Sequence, residues 1–314
     1  METILITGVA GFIGSKVAER FINEGYSVIG VDDLSTGHIK NVPKDIDFIE
    51  IDLSDYKNLK EISKNCSSIL HLAGQSSGEI SFDNPVTDLN KNTVSTLNLI
   101  KFGIDNNIKK ILYASSMSIY GNASNKAVNE NDSCLPLSCY GVGKLASENY
   151  LKIYQDQLPF VSLRMFNVYG PGQDLINLRQ GMVSIYIAQA IASGRIEVKG
   201  NLNRFRDFIY IDDVVEAWFR STINQNISNT SINVGTGIKT TIKELLDNIC
   251  TILPNTIYFE SNSTPGDQNG VFANNSFLKE CLSIKSFTSL DEGLKEFVKW
   301  ARNSDVLSSY ERNL

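Results

Sequence analysis

The chain is short of the residues that build metal cages and covalent staples. It has 2 histidines in 314 residues, and its 5 cysteines (Cys66, Cys134, Cys139, Cys250, Cys281) are an odd count with no Cys-x-x-Cys spacing. A zinc site or a disulfide framework is therefore not expected, no metal is assigned, and the thiols suit a reducing, cytoplasmic setting. No apolar run reaches the roughly 18 residues of a membrane span. The first apolar run, Ile4-Leu5-Ile6, has no basic leader and reads as a strand, not a signal peptide. A basic excess is missing too: 29 Lys and Arg face 35 Asp and Glu, a net charge of −6. That argues against nucleic acid as a partner, while a few local Arg or backbone N–H groups can still hold an anionic small molecule. Internal repeats and low-complexity segments are absent.

What is present is ordinary globular material, 42% hydrophobic and 20% charged. At about 150 residues per domain, the length suits one large or two modest domains. Through residue 165, β-branched runs at 3–7, 27–31, 48–51, 68–72, 110–114 and 160–163 alternate with helical patterns at 12–24, 55–64, 84–106 and 141–157. Continuous apolar runs suit strands buried on both faces, and strand–helix alternation predicts an α/β, doubly wound parallel sheet. After Arg164 the rhythm changes. A Gly, Pro and Asn-rich loop (166–180) precedes shorter elements, read as a smaller C-terminal α/β substrate-binding domain. The expected division is residues 1–165, with parts of 207–240, for the sheet domain, and mainly 166–206 and 241–314 for the smaller one.

Gly8, Gly11 and Gly14 stand in the turn between the first strand and first helix, with Phe12 and Ile13 between the last two. Such a turn lets the backbone approach a pyrophosphate at a helix N-terminus. Asp32 ends the second strand, 24 residues after Gly8. A carboxylate there accepts both ribose hydroxyls and repels a 2′-phosphate, favouring NAD over NADP. Asp52-Leu53 follows the third strand, where an acid can accept the adenine amine. His71-Leu72-Ala73-Gly74 ends the fourth at the same crevice. His71 stands alone, so it reads as a packing residue and not as a ligand or base. Cys139, without a histidine partner, reads the same way.

Tyr140 and Lys144 share one helix face at i, i+4. A nearby ammonium stabilises a phenolate and should draw the Tyr pKa from about 10 toward neutrality, as a general base requires. Tyr56 and Lys60 have the same spacing, but only Tyr140 follows Ser115-Ser116, which end the fifth strand at the crevice.

Together these motifs resemble the extended short-chain dehydrogenase/reductase family, in its nucleotide-sugar epimerase/dehydratase branch (UDP-glucose 4-epimerase-like), whose sheet is of the Rossmann type. Further matches are Asn92 in Asn-Thr-Val-Ser-Thr-Leu, Arg164-Met-Phe-Asn167-Val-Tyr-Gly-Pro-Gly172, Arg206-Asp207-Phe208 and Asn233-Val-Gly-Thr-Gly237. The resemblance implies NAD as cofactor, with Asn92 among its contacts. It makes Ser116 the residue that hydrogen-bonds the reacting sugar hydroxyl and Tyr140 the base. Lys144 would also hold the nicotinamide ribose, while Asn167 and Arg206 would bind the substrate diphosphate.

The implied reaction is epimerisation of a nucleotide-diphosphate sugar, a UDP-hexose or UDP-N-acetylhexosamine at C4, through a transient 4-keto sugar. A 4-keto reductase and a CDP-sugar 2-epimerase use the same set, and a non-enzymatic NAD-binding relative is a third reading. Family 4,6-dehydratases carry an Asp-Glu pair where Met117-Ser118 stand here. Thr264 stands where relatives place a second phosphate-binding Arg, for which Arg204 is a candidate substitute. Val271 stands where some place a bulky gatekeeping Tyr, so an N-acetyl group is expected to fit. The resemblance also implies a cytoplasmic role in polysaccharide synthesis. It further implies a homodimer in which segments 84–106 and 141–157 pack as a four-helix bundle.

Overall fold

A computed structural model describes residues 2–62, 65–123, 126–261 and 269–304. The first half runs β1 (Thr3–Thr7), α1 (Phe12–Asn23), β2 (Ser27–Asp32), β3 (Asp47–Glu50), β4 (Ser68–His71), α2 (Ile80–Asp83), α3 (Pro85–Leu89), α4 (Ser95–Asp105), β5 (Lys110–Ser116), α5 (Cys139–Ile153) and β6 (Phe160–Met165). Next come β7 (Asn167–Tyr169), α6 (Met182–Ser193), β8 (Arg195–Lys199), β9 (Phe205–Arg206), β10 (Phe208–Tyr210), α7 (Ile211–Ile223) and β11 (Thr230–Val234). The chain closes with β12 (Thr240–Thr241), α8 (Ile242–Ile252), β13 (Ile257–Ser261), α9 (Ser276–Leu282) and α10 (Leu290–Arg302).

Seven parallel strands form the main sheet in the order β11-β6-β5-β4-β1-β2-β3. The strand order reverses between β1 and β4, and in open α/β sheets ligands bind at the carboxyl ends beside such a reversal. Successive strand residues serve opposite faces. Ile4, Ile6, Leu70 and Leu112 join Phe21 of α1 and Trp218 of α7 in one core. Leu5, Ile69, Ile111 and Tyr113 join Leu99 of α4 and Leu151 of α5 in the other. A further core lies in the second half of the chain, where Ile187 of α6, Ile196 of β8, Leu245 of α8 and Phe297 of α10 meet. Residues 276–284 of the C-terminal part place Leu278, Leu282 and Ile284 in the sheet core beside Trp218.

Local chemistry sets the helix starts. Ser138 Oγ accepts from Gly141 N (3.1 Å) at the head of α5. Thr241 with Glu244, and Ser289 with Glu292, form reciprocal capping boxes on α8 and α10. Two expected helices differ. Segment 55–64 holds a 3-10 helix at Tyr56–Glu61, and residues 63–64 lie outside the described residues. Segment 84–106 is helical but interrupted by a π turn at Asn90–Val94 between α3 and α4. Hydrophobic periodicity does not report such a one-residue widening. Among the described residues no helix is long and apolar enough to cross a membrane.

Candidate active site

A cavity of about 590 Å³ opens at the carboxyl ends of β1, β2, β4 and β5 and reaches the loop between β7 and α6. Its walls include Gly8, Gly11, Phe12, Ile13, Gly14, Asp32, Asp52, Leu53, Leu72, Ala73, Gly74, Ser116, Tyr140, Lys144 and Asn167. The topology thus collects candidates that lie up to 159 positions apart in the chain, from Gly8 to Asn167.

At one end the glycine turn is packed tightly. A Cβ on Gly8, whose φ is +73°, would fall 2.6 Å from Ala73 N, and one on Gly14 would fall 2.0 Å from Gly8 O. The turn therefore lies flat under whatever enters. Asp32 Oδ2 accepts from Ala10 N (3.0 Å) and Oδ1 from Leu34 N (2.9 Å), so it joins the glycine turn to the loop after β2. Burial pushes its pKa up, against the lowering by these N–H groups. A carboxylate has about four acceptor positions, so two hydrogen bonds leave room for a ligand's hydroxyls. Asp52 accepts from Ser54 N (2.9 Å) and Lys91 Nζ (2.8 Å).

At the other end, Ser116 and Tyr140 line the cavity together, and Ser116 Oγ donates to Ser118 Oγ (3.2 Å) and accepts from Ser118 N (3.2 Å). Lys144 Nζ lies 5.6 Å from the Tyr140 ring centre and 5.0 Å from that of Tyr113. Both residues are buried. Burial holds Lys144 down to about 8 while the Asp88 carboxylate raises it. Burial pushes Tyr140 up to about 12; the nearby Ser116 hydroxyl lowers it and Asp88 raises it. The expected shift of the phenol toward neutrality is thus not met by the protein alone. Desolvation of the phenolate outweighs what these neighbours return.

Behind this pair lies a network that sequence reading missed. Asp88, only 2% exposed, accepts at Oδ1 from Gln75 Nε2 (2.9 Å) and Asn92 Nδ2 (3.1 Å). Asp88 and Asn92 are one helical turn apart, and that spacing was the only signal available. Asn92 does not line the cavity. It sits behind Gly74, with Oδ1 buried and without a hydrogen-bond partner. His71 fits the packing reading: its nitrogens meet Thr7 Oγ1 (2.9 Å) and Thr96 Oγ1 (3.0 Å). Burial first, and the Lys144 charge second, push it down to about 3, so the ring is neutral.

The diphosphate candidates separate. Asn167 lines the cavity with Oδ1 buried and unpartnered, as does Gln173 Oε1 from the following loop. Arg206 does not line it. This buried residue on β9 donates from Nη1 to Phe205 O (2.8 Å), and burial holds it down to about 10. Arg204 donates from Nε to Asn201 O (3.0 Å) and from Nη2 to Lys199 O, so its guanidinium braces the turn after β8. Val271 is packed with Ile119, Tyr120 and Phe166 and is not a cavity residue, so the expectation hung on it has no support at that position. Thr264 and the neighbouring Asp267 lie outside the described residues.

The cradle end fits the expected cofactor: it admits no side chain at Gly8 or Gly14, and Asp32 keeps acceptor capacity.

The chain belongs to the NAD dependent epimerase/dehydratase family, whose sequence profile matches residues 4–235. It is 31% identical over 310 residues to a UDP-glucose 4-epimerase of Mycolicibacterium smegmatis, covering 95% of this chain and 98% of that one. Among solved structures, the UDP-glucose 4-epimerase of Thermotoga maritima with UDP-glucose superposes with a TM-score of 0.91 at 32% identity, covering 96% of this chain and 98% of that one. The UDP-N-acetylglucosamine 4-epimerase of Methanobrevibacter ruminantium with UDP-N-acetylmuramic acid gives a TM-score of 0.87 at 31% identity, with the same coverage of 96% and 98%.

Proposed function

We propose that this member of the family epimerises a nucleotide-diphosphate sugar in an NAD-dependent, redox-neutral cycle, with a UDP-hexose or UDP-N-acetylhexosamine turned over at C4. One observation carries the reading. Ser116, Tyr140 and Lys144 converge at one end of a cavity whose other end is the Gly8–Gly14 cradle and Asp32. The relatives named above support the choice of carbon and of nucleotide.

NAD, when bound, supplies a hydride acceptor that later serves as donor, together with one formal positive charge. The chain's residues manage the proton and the sugar. Burial keeps the proton on the Tyr140 phenol in the ligand-free pocket, and positive charge gathered beside the ring favours its release. As phenolate it takes the proton of the sugar hydroxyl, with the Ser116 hydroxyl bonded alongside, and it returns that proton to the product. Lys144 stabilises the phenolate in a dry pocket, where charge interactions are strong. Asn167 and Gln173 line the cavity, where their side-chain amides would contact the substrate. The sugar leaves with one centre inverted and its oxidation state unchanged.

The acids lining the cavity are Asp32, Asp33, Asp52 and Asp174. None follows Ser116 directly, where a dehydratase would need an acid/base pair for eliminating water. A panel of nucleotide sugars incubated without added cofactor and read by NMR tests the reading. Formation of the C4 epimer is expected. Product only when reduced nicotinamide is supplied would establish a reductase instead.

The proposal extends to a homodimer in which segments 84–106 and 141–157, which hold α3, α4 and most of α5, pack as a four-helix bundle. Val86, Leu89, Val142 and Ile153 are at least 49% exposed on the packed helices α3 and α5, and a second copy would cover them. Light scattering that gave a monomer at micromolar concentration would remove this part.

A further inference from the structure

The cavity is lined by two cations, Lys144 at the reacting end and Lys91 at the cradle end. The reaction above uses Lys144 and leaves Lys91 unexplained. Lys91 sits on the π turn Asn90–Val94. Its Nζ donates to Asp33 Oδ2 and, at 2.8 Å, to Asp52 Oδ2. Each carboxylate is already anchored to its own loop. Asp33 Oδ1 accepts from Ser35 N (3.0 Å) and Ser35 Oγ (2.6 Å), and Asp52 Oδ1 accepts from Ser54 N (2.9 Å). Asp33 adjoins Asp32, which holds the glycine turn through Ala10 N. One ammonium therefore joins the loops after β2 and β3 to the helix opposite. On this turn Lys91 faces the loops while the adjacent Asn92 is 1% exposed. Such turns recur at functional sites.

We propose that Lys91 is a positioning residue for the cofactor: it clamps the two loops around the adenosine end through Asp33 and Asp52 and so sets the affinity for NAD. This rests on the reading of the cleft as an NAD site. The charge balance supports it. Without Lys91 the cradle end carries Asp32, Asp33 and Asp52 with no lining cation, and that charge opposes an anionic dinucleotide. With Lys91 in place, two carboxylates are paired and Asp32 remains for the ligand.

Titration calorimetry with NAD, and separately with UDP, on protein stripped of nucleotide tests the clamp. Lys91→Met should bind NAD about tenfold more weakly, a coupling of ordinary size for one charge network. UDP affinity should stay unchanged, and Lys91→Arg should recover most of the loss. In an Asp33→Asn/Asp52→Asn background, Lys91→Met should cost nothing further, because Lys91 acts through those carboxylates. Wild-type NAD affinity in Lys91→Met overturns the proposal, and so does an equal loss in that background, which would mean direct contact with the dinucleotide. Should Lys91→Met fail to fold, Asp33→Asn alone should lose NAD affinity about threefold, and no loss there is equally fatal. A wild-type protein that bound UDP but no NAD would bring down the reading of the cleft itself.

Discussion

Lys91 and Lys144 line the same cavity and titrate in opposite directions. Burial weighs against both. Lys91 meets two carboxylates directly, and those contacts carry its pKa above the ordinary lysine value. Lys144 has only the charge of Asp88 in its favour, so burial wins and holds it down to about 8. The cradle end is thus a half-exposed, charge-paired grip, while the reacting end is a dry pocket that keeps its charges scarce. A grip needs fixed geometry, and ion pairs anchored on loops provide it. A base needs a proton that can leave and return, and a desolvated phenol beside a weakly held ammonium provides that.

The largest test removes the base. Tyr140→Phe should lower kcat by about 10²- to 10⁴-fold, the usual worth of general base catalysis, while bound NAD per chain, measured after acid extraction, stays at the wild-type level. Parallel loss of NAD would erase the distinction between the ends. Gly14→Ala attacks the cradle. Its Cβ would meet Gly8 O at 2.0 Å, so denaturant unfolding should show a loss of about 2–4 kcal/mol together with lost NAD binding. Wild-type stability there would mean that the turn can yield.

The pH behaviour of Lys144 gives a smaller effect. Its folded pKa lies below the ordinary lysine value of 10.5, at about 8, so between those pH values the unfolded chain holds a proton that the folded chain has lost. Folded stability therefore rises with pH across that window, and Lys144→Met should flatten the rise in apo-protein melts. Asp88→Asn should move the Lys144 titration about one unit lower, read by NMR of the lysine ε-carbon. An unmoved value would show that Asp88 is not its main support. Salt should matter least. Raising ionic strength tenfold should weaken NAD binding less than about threefold beyond the diphosphate's own screening, and should leave the Lys144 value in place.

Much of the sheet was legible because buried parallel strands leave continuous apolar runs, as β1, β2 and β4 to β6 do, whereas the edge strand β3 is only partly buried. The glycine turn and Asp32 were legible because a tight strand-to-helix turn admits few residues. Tyr140 and Lys144 followed from a helical spacing that Tyr56 and Lys60 also possess, so position along the alternation had to separate them. The π turn left no mark, since Asn90–Val94 is as polar as any helix surface. Lys91, Asp88 and Gln75 were invisible as site residues because their meaning lies in partners 58, 56 and 13 positions away.

By itself, then, the order of residues determined which segments are strands and helices, where the backbone can turn under a phosphate, and which side chains can exchange a proton. Those properties are local: they depend on apolar periodicity, on a missing Cβ, on the chemistry of a phenol. Folding alone decided that Tyr140 is held protonated, that Arg204 braces a turn, and that two lysines of one cavity carry opposite tasks. Charge and solvation act through space, and only the folded chain sets which groups lose water together and which face one another.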